Sequence, residues 1–312
     1  MVFSPEGKAY PCCYHFGYSI GDINKESLDD IWNGPRLEKL REQFRTGQPR
    51  ICKKRMQNLK CHRNFEDLSR GEPIKKPLRL DLRLAGQCNL QCIMCDVWQM
   101  PNDRFTEENF WINAREDFLP YIKELDLLGG EPLIQNETYR LLNLMQEINP
   151  SCKISIVTNG HLVIRGERAK TLENANLKMI QVSLDSLNPQ TYAAIRRGGN
   201  LELALKSLQY FLALRQNTRF DLAASICVQK LNWHELPEFL HFCNERNIIP
   251  IVQQLDYDPS GCASLHKLPM QEKKLILQEL KTKVPPPFLV HIQTLLSRLT
   301  SDIARTEPKW HT

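Results

Sequence analysis

With 312 residues and a hydrophobic content of 42%, the chain has room for one large core and a smaller appendage. Its net charge of +5 is spread along the sequence and gives no clustered basic face of the kind nucleic-acid binding requires; no apolar run is long enough to span a bilayer, and the first residues do not read as a secretory signal. Eleven cysteines in such a chain point to the reducing cytoplasm and to metal ligation rather than to disulfides.

Four parts are expected in chain order: residues 1–70, a linker over 71–77, a core over 78–258 and a helical extension over 259–312. In the first part Cys12 and Cys13 stand near the start, an amphipathic helix is predicted over 35–45, and Cys52 and Cys61 follow it. The run Glu72-Pro73-Ile74-Lys75-Lys76-Pro77 has the composition of a linker. From Leu78 onward strands and helices alternate. Residues 78–84 form a strand in which Leu80, Leu82 and Leu84 alternate with Arg79, Asp81 and Arg83. Further strands are predicted over 122–128, 154–157, 179–184, 220–228 and 248–255. Helices are predicted over 137–148, where Leu141, Leu142, Leu144, Met145 and Ile148 share the apolar side, and over 201–215 and 234–244. Two more helices follow from Met270, separated by Pro285–Pro287. Repeated βα units favour a parallel sheet with right-handed crossovers, hence an α/β fold. The periodicity does not by itself separate an open partial barrel from a doubly wound sheet.

Cys88, Cys92 and Cys95 fall in one short run, Cys88-Asn89-Leu90-Gln91-Cys92-Ile93-Met94-Cys95, directly after the first strand of the core. Three thiolates can hold three irons of a four-iron, four-sulfur cluster and leave the fourth iron open. The spacing also fits part of a zinc site, but a structural zinc ion takes four closed ligands, and the next cysteine and histidine are as far away as Cys152 and His161. Gly129-Gly130-Glu131-Pro132, Thr158-Asn159-Gly160 and Val182-Ser183-Leu184-Asp185-Ser186 stand at the ends of the next three predicted strands. In barrel folds that end carries the active site. Cys152, Cys227 and Cys243 read as small core residues.

These four runs, in this order, resemble the radical S-adenosylmethionine (SAM) superfamily. Gly7-Lys8-Ala9-Tyr10-Pro11-Cys12 and the segment from Gly21 to Gly34 resemble that superfamily's auxiliary-cluster module, called SPASM or, in its shorter form, twitch. The module typically follows the barrel; here it precedes it. The resemblance implies a partial (β/α)6 TIM-type barrel of radical SAM type behind a small cysteine-containing α+β cap. It implies that Cys88, Cys92 and Cys95 hold a SAM-binding 4Fe–4S cluster, and that SAM is split by one electron to give a 5′-deoxyadenosyl radical that takes hydrogen from substrate. Gly129 and Gly130 would let backbone approach the SAM ammonium, Glu131 would offer the opposite charge, and Ser183 and Arg196 would meet the amino-acid end. Ser183 reads equally as a strand-end hydroxyl satisfying local backbone, and Arg196 as a residue that ends a helix. Met94 stands where the family usually has an aromatic residue beside adenine. Thr158, Asn159 and Cys262 are candidates for the substrate pocket.

An auxiliary iron–sulfur cluster would draw on Cys12, Cys13, Cys52 and Cys61, with His15 or His62 as substitute ligands and zinc as the competing metal. A reduced flavodoxin or ferredoxin-type protein would supply electrons. The substrate class expected is a peptide or protein undergoing maturation, in an oxidoreductase-type reaction. Radical dehydrogenation or rearrangement of a small metabolite is the alternative, and an iron–sulfur electron carrier without SAM chemistry is a reading of another class.

Overall fold

The computed structural model describes residues 1–13, 17–46, 75–162, 164–255, 258–261 and 263–306. Cys52, Cys61 and Cys262, as well as His15 and His62, lie outside the described residues. The chain divides into two compact units: Met1–Gln87 with Met100–Ser155 and Gly166–Asn176, and Cys88–Gln99 with Ile156–Arg165 and Leu177–Thr312.

In the first unit three short strands, Val2–Phe3 (β1), Lys8–Tyr10 (β2) and Gly21–Asp22 (β3), precede helices Leu28–Asn33 (α1) and Pro35–Arg45 (α2). Strands β1, β2 and β3 pair antiparallel in succession. Strand β1 also pairs parallel with Arg79–Arg83 (β4), Val2 opposite Asp81 and Phe3 opposite Leu82, so the N-terminal segment extends the sheet of the core. Strands this short carry no period in sequence, and none was foreseen. Strand β4 keeps the predicted alternation, Leu80 and Leu82 buried and its charged residues half-buried. It pairs parallel with Glu124–Leu128 (β5), which buries Leu125 and Leu127. Along the polar face Arg79 reaches Glu124 at 3.0 Å and Asp126 at 2.5 Å, the opposite-sign cross-strand pairing that stabilises a register.

Helices Glu108–Asp117 (α3), Asn136–Ile148 (α4) and Gly166–Asn174 (α5) complete this unit. Helix α4 buries Leu141, Leu142 and Met145, whereas Leu144 and Ile148 of the predicted stripe are half-buried. Helices α3 and α5 bury only two residues each, so neither shows a strong helical stripe.

Strand Lys153–Thr158 (β6) is divided between the units. In the second unit Leu177–Ser183 (β7), Asp221–Val228 (β8) and Ile249–Gln254 (β9) run parallel, with Ser183 opposite Ser225 and Ala224 opposite Pro250. Between β7 and β8 lie Pro189–Ile195 (α6) and Leu201–Asn217 (α7). Helix α6 has Pro189 in its first turn and the Asn188 side chain as N-cap, and α7 is capped by Asn200. The predicted helix over 234–244 begins as a 3-10 turn, Trp233–Glu235, and becomes α-helical at Leu236–Glu245 (α8), which buries Leu236, Phe239, Leu240 and Cys243. Met270–Lys283 (α9) and Leu289–Thr306 (α10) are the two C-terminal helices; α10 buries Ile292, Leu295, Leu299 and Ile303, spaced as one helical face. Among the described residues no helix is long and apolar enough to cross a membrane.

Candidate active site

The cysteine run is tied down by the end of α6. A helix leaves its last carbonyls without intrahelical partners. Here the Ile93 N–H donates to the carbonyl of Ile195 at 3.0 Å and the Gln91 N–H to that of Arg197 at 2.9 Å. Within the loop the Cys95 N–H donates to the Cys92 carbonyl at 3.1 Å, the Leu90 N–H to Cys88 Sγ at 3.4 Å, and Trp98 Nε1 to the Cys95 carbonyl at 3.0 Å. Cys88, Cys92 and Cys95 are half-buried and outside any disulfide, and Met94 is half-buried as well. Burial pushes the Cys92 thiol up to about 12, with Arg196 pulling it down and Asp185, Cys95 and Cys88 pushing it further up. A thiol raised in this way becomes a thiolate readily only beside a cationic centre.

Two side chains from elsewhere in the second unit reach the sulfurs. Asn159 Nδ2 donates to Cys88 Sγ at 3.7 Å, and Arg196 Nη1 to Cys92 Sγ at 3.9 Å. Arg196 is the residue that ends α6, yet its guanidinium turns inward: Nη2 lies 2.7 Å from Asp185 Oδ2. Burial opposes the guanidinium charge, but Asp185 and Cys92 outweigh it and hold its pKa above the ordinary arginine value. The donor set is therefore three soft sulfur ligands with N–H groups aimed at two of them, which fits an iron–sulfur cluster. Among the described residues no three His, Cys, Asp or Glu side chains converge on a single ion.

Gly129, Gly130 and Glu131 stand in the first unit, and the last two are bound to two of the three residues that precede Cys88. The Gly130 N–H donates to the Ala85 carbonyl at 3.0 Å and the Glu131 N–H to the Gln87 carbonyl at 2.8 Å. A Cβ on Gly130 would lie 2.0 Å from the Gln87 oxygen, and Gly129 sits at φ 127°, so both glycines are already required by the chain's own backbone. Glu131 is 1% exposed, and its Oε1 accepts from the Leu133 N–H at 3.1 Å, capping the turn Pro132–Ile134.

Thr158 Oγ1 accepts from the Gly160 N–H, a local turn. Asn159 is knitted to residues that sequence reasoning passed over. Its Nδ2 donates to Asn89 Oδ1 at 2.8 Å and its Oδ1 accepts from the His161 N–H at 2.8 Å, while Asn89 Nδ2 donates to the His161 carbonyl at 3.0 Å. His161 Nε2 accepts from the Asn200 N–H at 2.7 Å, so Nδ1 carries the proton and donates to the Asn159 carbonyl at 3.0 Å. Ser183 is half-buried at the end of β7. Asp185 lies at φ 61°; its Oδ1 accepts from the Cys227 N–H at 2.6 Å and its carbonyl from Asn232 Nδ2 at 2.7 Å. Cys12 and Cys13 are half-buried in the first unit. Cys152 and Cys243 are buried as expected, whereas Cys227 is only half-buried.

Residues 82–243 match the sequence model of the radical SAM superfamily. The chain belongs to that superfamily. Residues 1–62 match the model of an iron–sulfur cluster-binding domain, SPASM. The radical SAM enzyme is similar to a GTP 3′,8-cyclase of Desulforamulus reducens, 31% identical over 194 residues, which are 58% of this chain and 56% of that protein. It is also similar to a probable GTP 3′,8-cyclase of Methanocaldococcus jannaschii, 28% identical over 183 residues, 58% of this chain and 59% of the relative. The chain thus spans little more than half the length of the curated relatives it matches. Among solved structures, native anSMEcpe with bound AdoMet matches 66% of this chain and 60% of its own at a TM-score of 0.50 and 15% identity, a likeness of fold. The fold class is α/β, a partial TIM-type barrel of the radical SAM kind, behind a SPASM-type module. Its cofactors are a 4Fe–4S cluster, SAM and auxiliary iron–sulfur.

Proposed function

We propose that Cys88, Cys92 and Cys95 hold the SAM-binding cluster, and that the enzyme takes a hydrogen atom from its substrate. The observation that carries this reading is the loop itself, three thiols within eight residues, two of which receive N–H donors from Leu90, Asn159 and Arg196. When bound, the cluster and SAM supply a 5′-deoxyadenosyl radical. The chain's own residues bind, orient and exclude water. Gly129 and Gly130 keep the strand-end backbone bare of side chains. Glu131 presents a buried carboxylate to the SAM ammonium, and Ser183 and Met94 meet the amino-acid end and the adenine. Thr158, Asn159 and Cys262 are the candidate substrate residues. A reduced flavodoxin or ferredoxin-type protein delivers the electron, and Cys12, Cys13, Cys52 and Cys61 supply ligands to the auxiliary cluster.

The substrate reading that goes with the SPASM-type module is a peptide or protein side chain, in an oxidoreductase-type maturation. The names of the curated relatives favour a second reading, radical rearrangement of a nucleotide or another small metabolite. Anaerobic reconstitution with iron and sulfide, reduction with dithionite and measurement of 5′-deoxyadenosine from SAM test the shared chemistry. Wild type yields 5′-deoxyadenosine; Cys88→Ala, Cys92→Ala and Cys95→Ala yield none. Cleavage retained at the wild-type rate in any of these variants overturns the cluster assignment. A fully loaded wild type that cleaves no SAM, with or without candidate peptides and GTP, favours the electron-carrier reading. Deuterium transferred to 5′-deoxyadenosine from a labelled peptide or from labelled GTP separates the two substrate classes.

A further inference from the structure

The Arg196–Asp185 pair is built more rigidly than the end of a short helix needs. Arg196 is 6% exposed and Asp185 1%. Asp185 is held in a left-handed backbone conformation that non-glycine residues rarely adopt, by the Cys227 N–H on its carboxylate and Asn232 Nδ2 on its carbonyl. Its second carboxylate oxygen, Oδ2, faces Arg196 Nη2 at 2.7 Å as an ion contact outside hydrogen-bond geometry. The guanidinium's Nε has no hydrogen-bond partner, and Nη1 points at Cys92 Sγ. A buried cation is thereby fixed beside one cluster ligand, with its counter-charge behind it.

We propose that this pair sets the reduction potential of the cluster held by Cys88, Cys92 and Cys95: Arg196 raises it and Asp185 holds it back. The inference rests on the cluster assignment proposed above. One-electron reduction adds negative charge to the cluster, and reduction potentials of such clusters follow local net charge, hydrogen bonds to sulfur and exposure. In a buried setting a fixed charge acts with little screening. Arg196 is then a positioning and tuning residue, its guanidinium turned toward Asp185 and Cys92 rather than reserved for the SAM carboxylate.

The test is a SAM-free redox titration of the reconstituted full chain, followed by electron paramagnetic resonance. The signal that disappears in Cys88→Ala identifies the cluster and separates it from any auxiliary one. Arg196→Gln lowers its midpoint potential, Asp185→Asn raises it, and Arg196→Lys stays nearer wild type than Arg196→Gln. Opposite signs are the signature, since mere loosening of the loop would move both variants the same way. Shifts of the same sign, or unchanged potentials with SAM binding weakened in Arg196→Gln, overturn the proposal, the latter in favour of a carboxylate contact. If Arg196→Gln fails to load iron, the sign in Asp185→Asn decides. Loss of the cluster from both assigns the pair a purely structural role and overturns the proposal. A wild type with no signal lost on Cys88→Ala is a failure of the cluster assignment instead.

Discussion

Gln135 donates from Nε2 to the carbonyl of Gln87 at 3.2 Å, the residue covalently next to Cys88, and also to that of Ala85 at 3.3 Å. It is fully buried, and it joins the Gly130 and Glu131 N–H groups in fixing the chain just before the cysteine run. Gln135→Leu keeps the volume and removes both donors. The expected result is a loss of about 1–3 kcal/mol in unfolding free energy and a lower iron content after reconstitution, read by denaturant titration and iron assay. Gln135→Glu, which buries a carboxyl without an amide donor, is expected to be worse at neutral pH than at acid pH. Wild-type iron content in both variants would remove Gln135 from the support of the loop.

Gly130 and Gly166 make a controlled comparison. A Cβ on Gly130 collides with the Gln87 and Gly86 carbonyls at 2.0 and 2.3 Å, both rigid backbone, whereas Gly166, at φ 58°, has open space around it. Gly130→Ala is expected to abolish cluster loading or folding. Gly166→Ala is expected to cost about 1–2 kcal/mol, the strain of a left-handed residue, and to leave iron content unchanged.

The core repeat is legible because its signal is local. Leu80 and Leu82 alternate within five residues, and Leu201, Ala204, Leu208 and Phe211 trace one helical face, so both elements appear within a short window. Strand β1 is two residues long and acquires its meaning only by pairing with β4, far along the chain, which no local period reveals. The cysteine run announced itself by spacing. Its supports did not: Asn159 meets Cys88, and His161 meets Asn89, across some seventy residues of chain. From sequence Asn159 is a candidate for the substrate pocket; its bond to the cysteine loop emerges only from the fold. The left-handed conformation of Asp185 and its hold on Arg196 follow from β8, whose Cys227 N–H its carboxylate accepts from.

The auxiliary module is open to the same kind of separation. Cys52→Ala with Cys61→Ala is expected to lower the iron count while SAM cleavage continues, because the Cys88 loop is held by contacts to Asn159 and to the end of α6. An unchanged iron count in the double variant would remove those two thiols from the ligand set.

His161 gives the second unit a definite acid response. Burial lowers its pKa below the ordinary 6.5, with Arg196 adding to that and its contacts with the Asn159 and Asn200 backbones opposing it. Protonated, its Nε2 would present a proton to the Asn200 N–H that it now accepts from. The unfolded chain therefore binds this proton more readily than the folded one, so the contribution is complete above about 6.5 and is lost as pH falls through the lower folded value. His161→Gln is expected to be less stable at pH 8 and to show a flatter fall between pH 6.5 and 5 in thermal melts. An equally steep fall in the variant would place the acid response elsewhere.

Asp81 acts with the opposite sign. It stands opposite Asp126 in the β4–β5 register, and burial raises its pKa above 3.8, with Asp126 adding to the rise and Arg83 opposing it. The folded chain thus holds this proton more tightly than the unfolded one, and stability declines as pH rises from 3.8 through the folded value. Asp81→Asn removes the carboxylate from a crowded acidic register while keeping its shape. The variant is expected to melt above wild type at pH 7, with the difference shrinking toward pH 4. A variant less stable than wild type at pH 7 would mean that the 3.4 Å contact with Arg83 outweighs the burial of the charge.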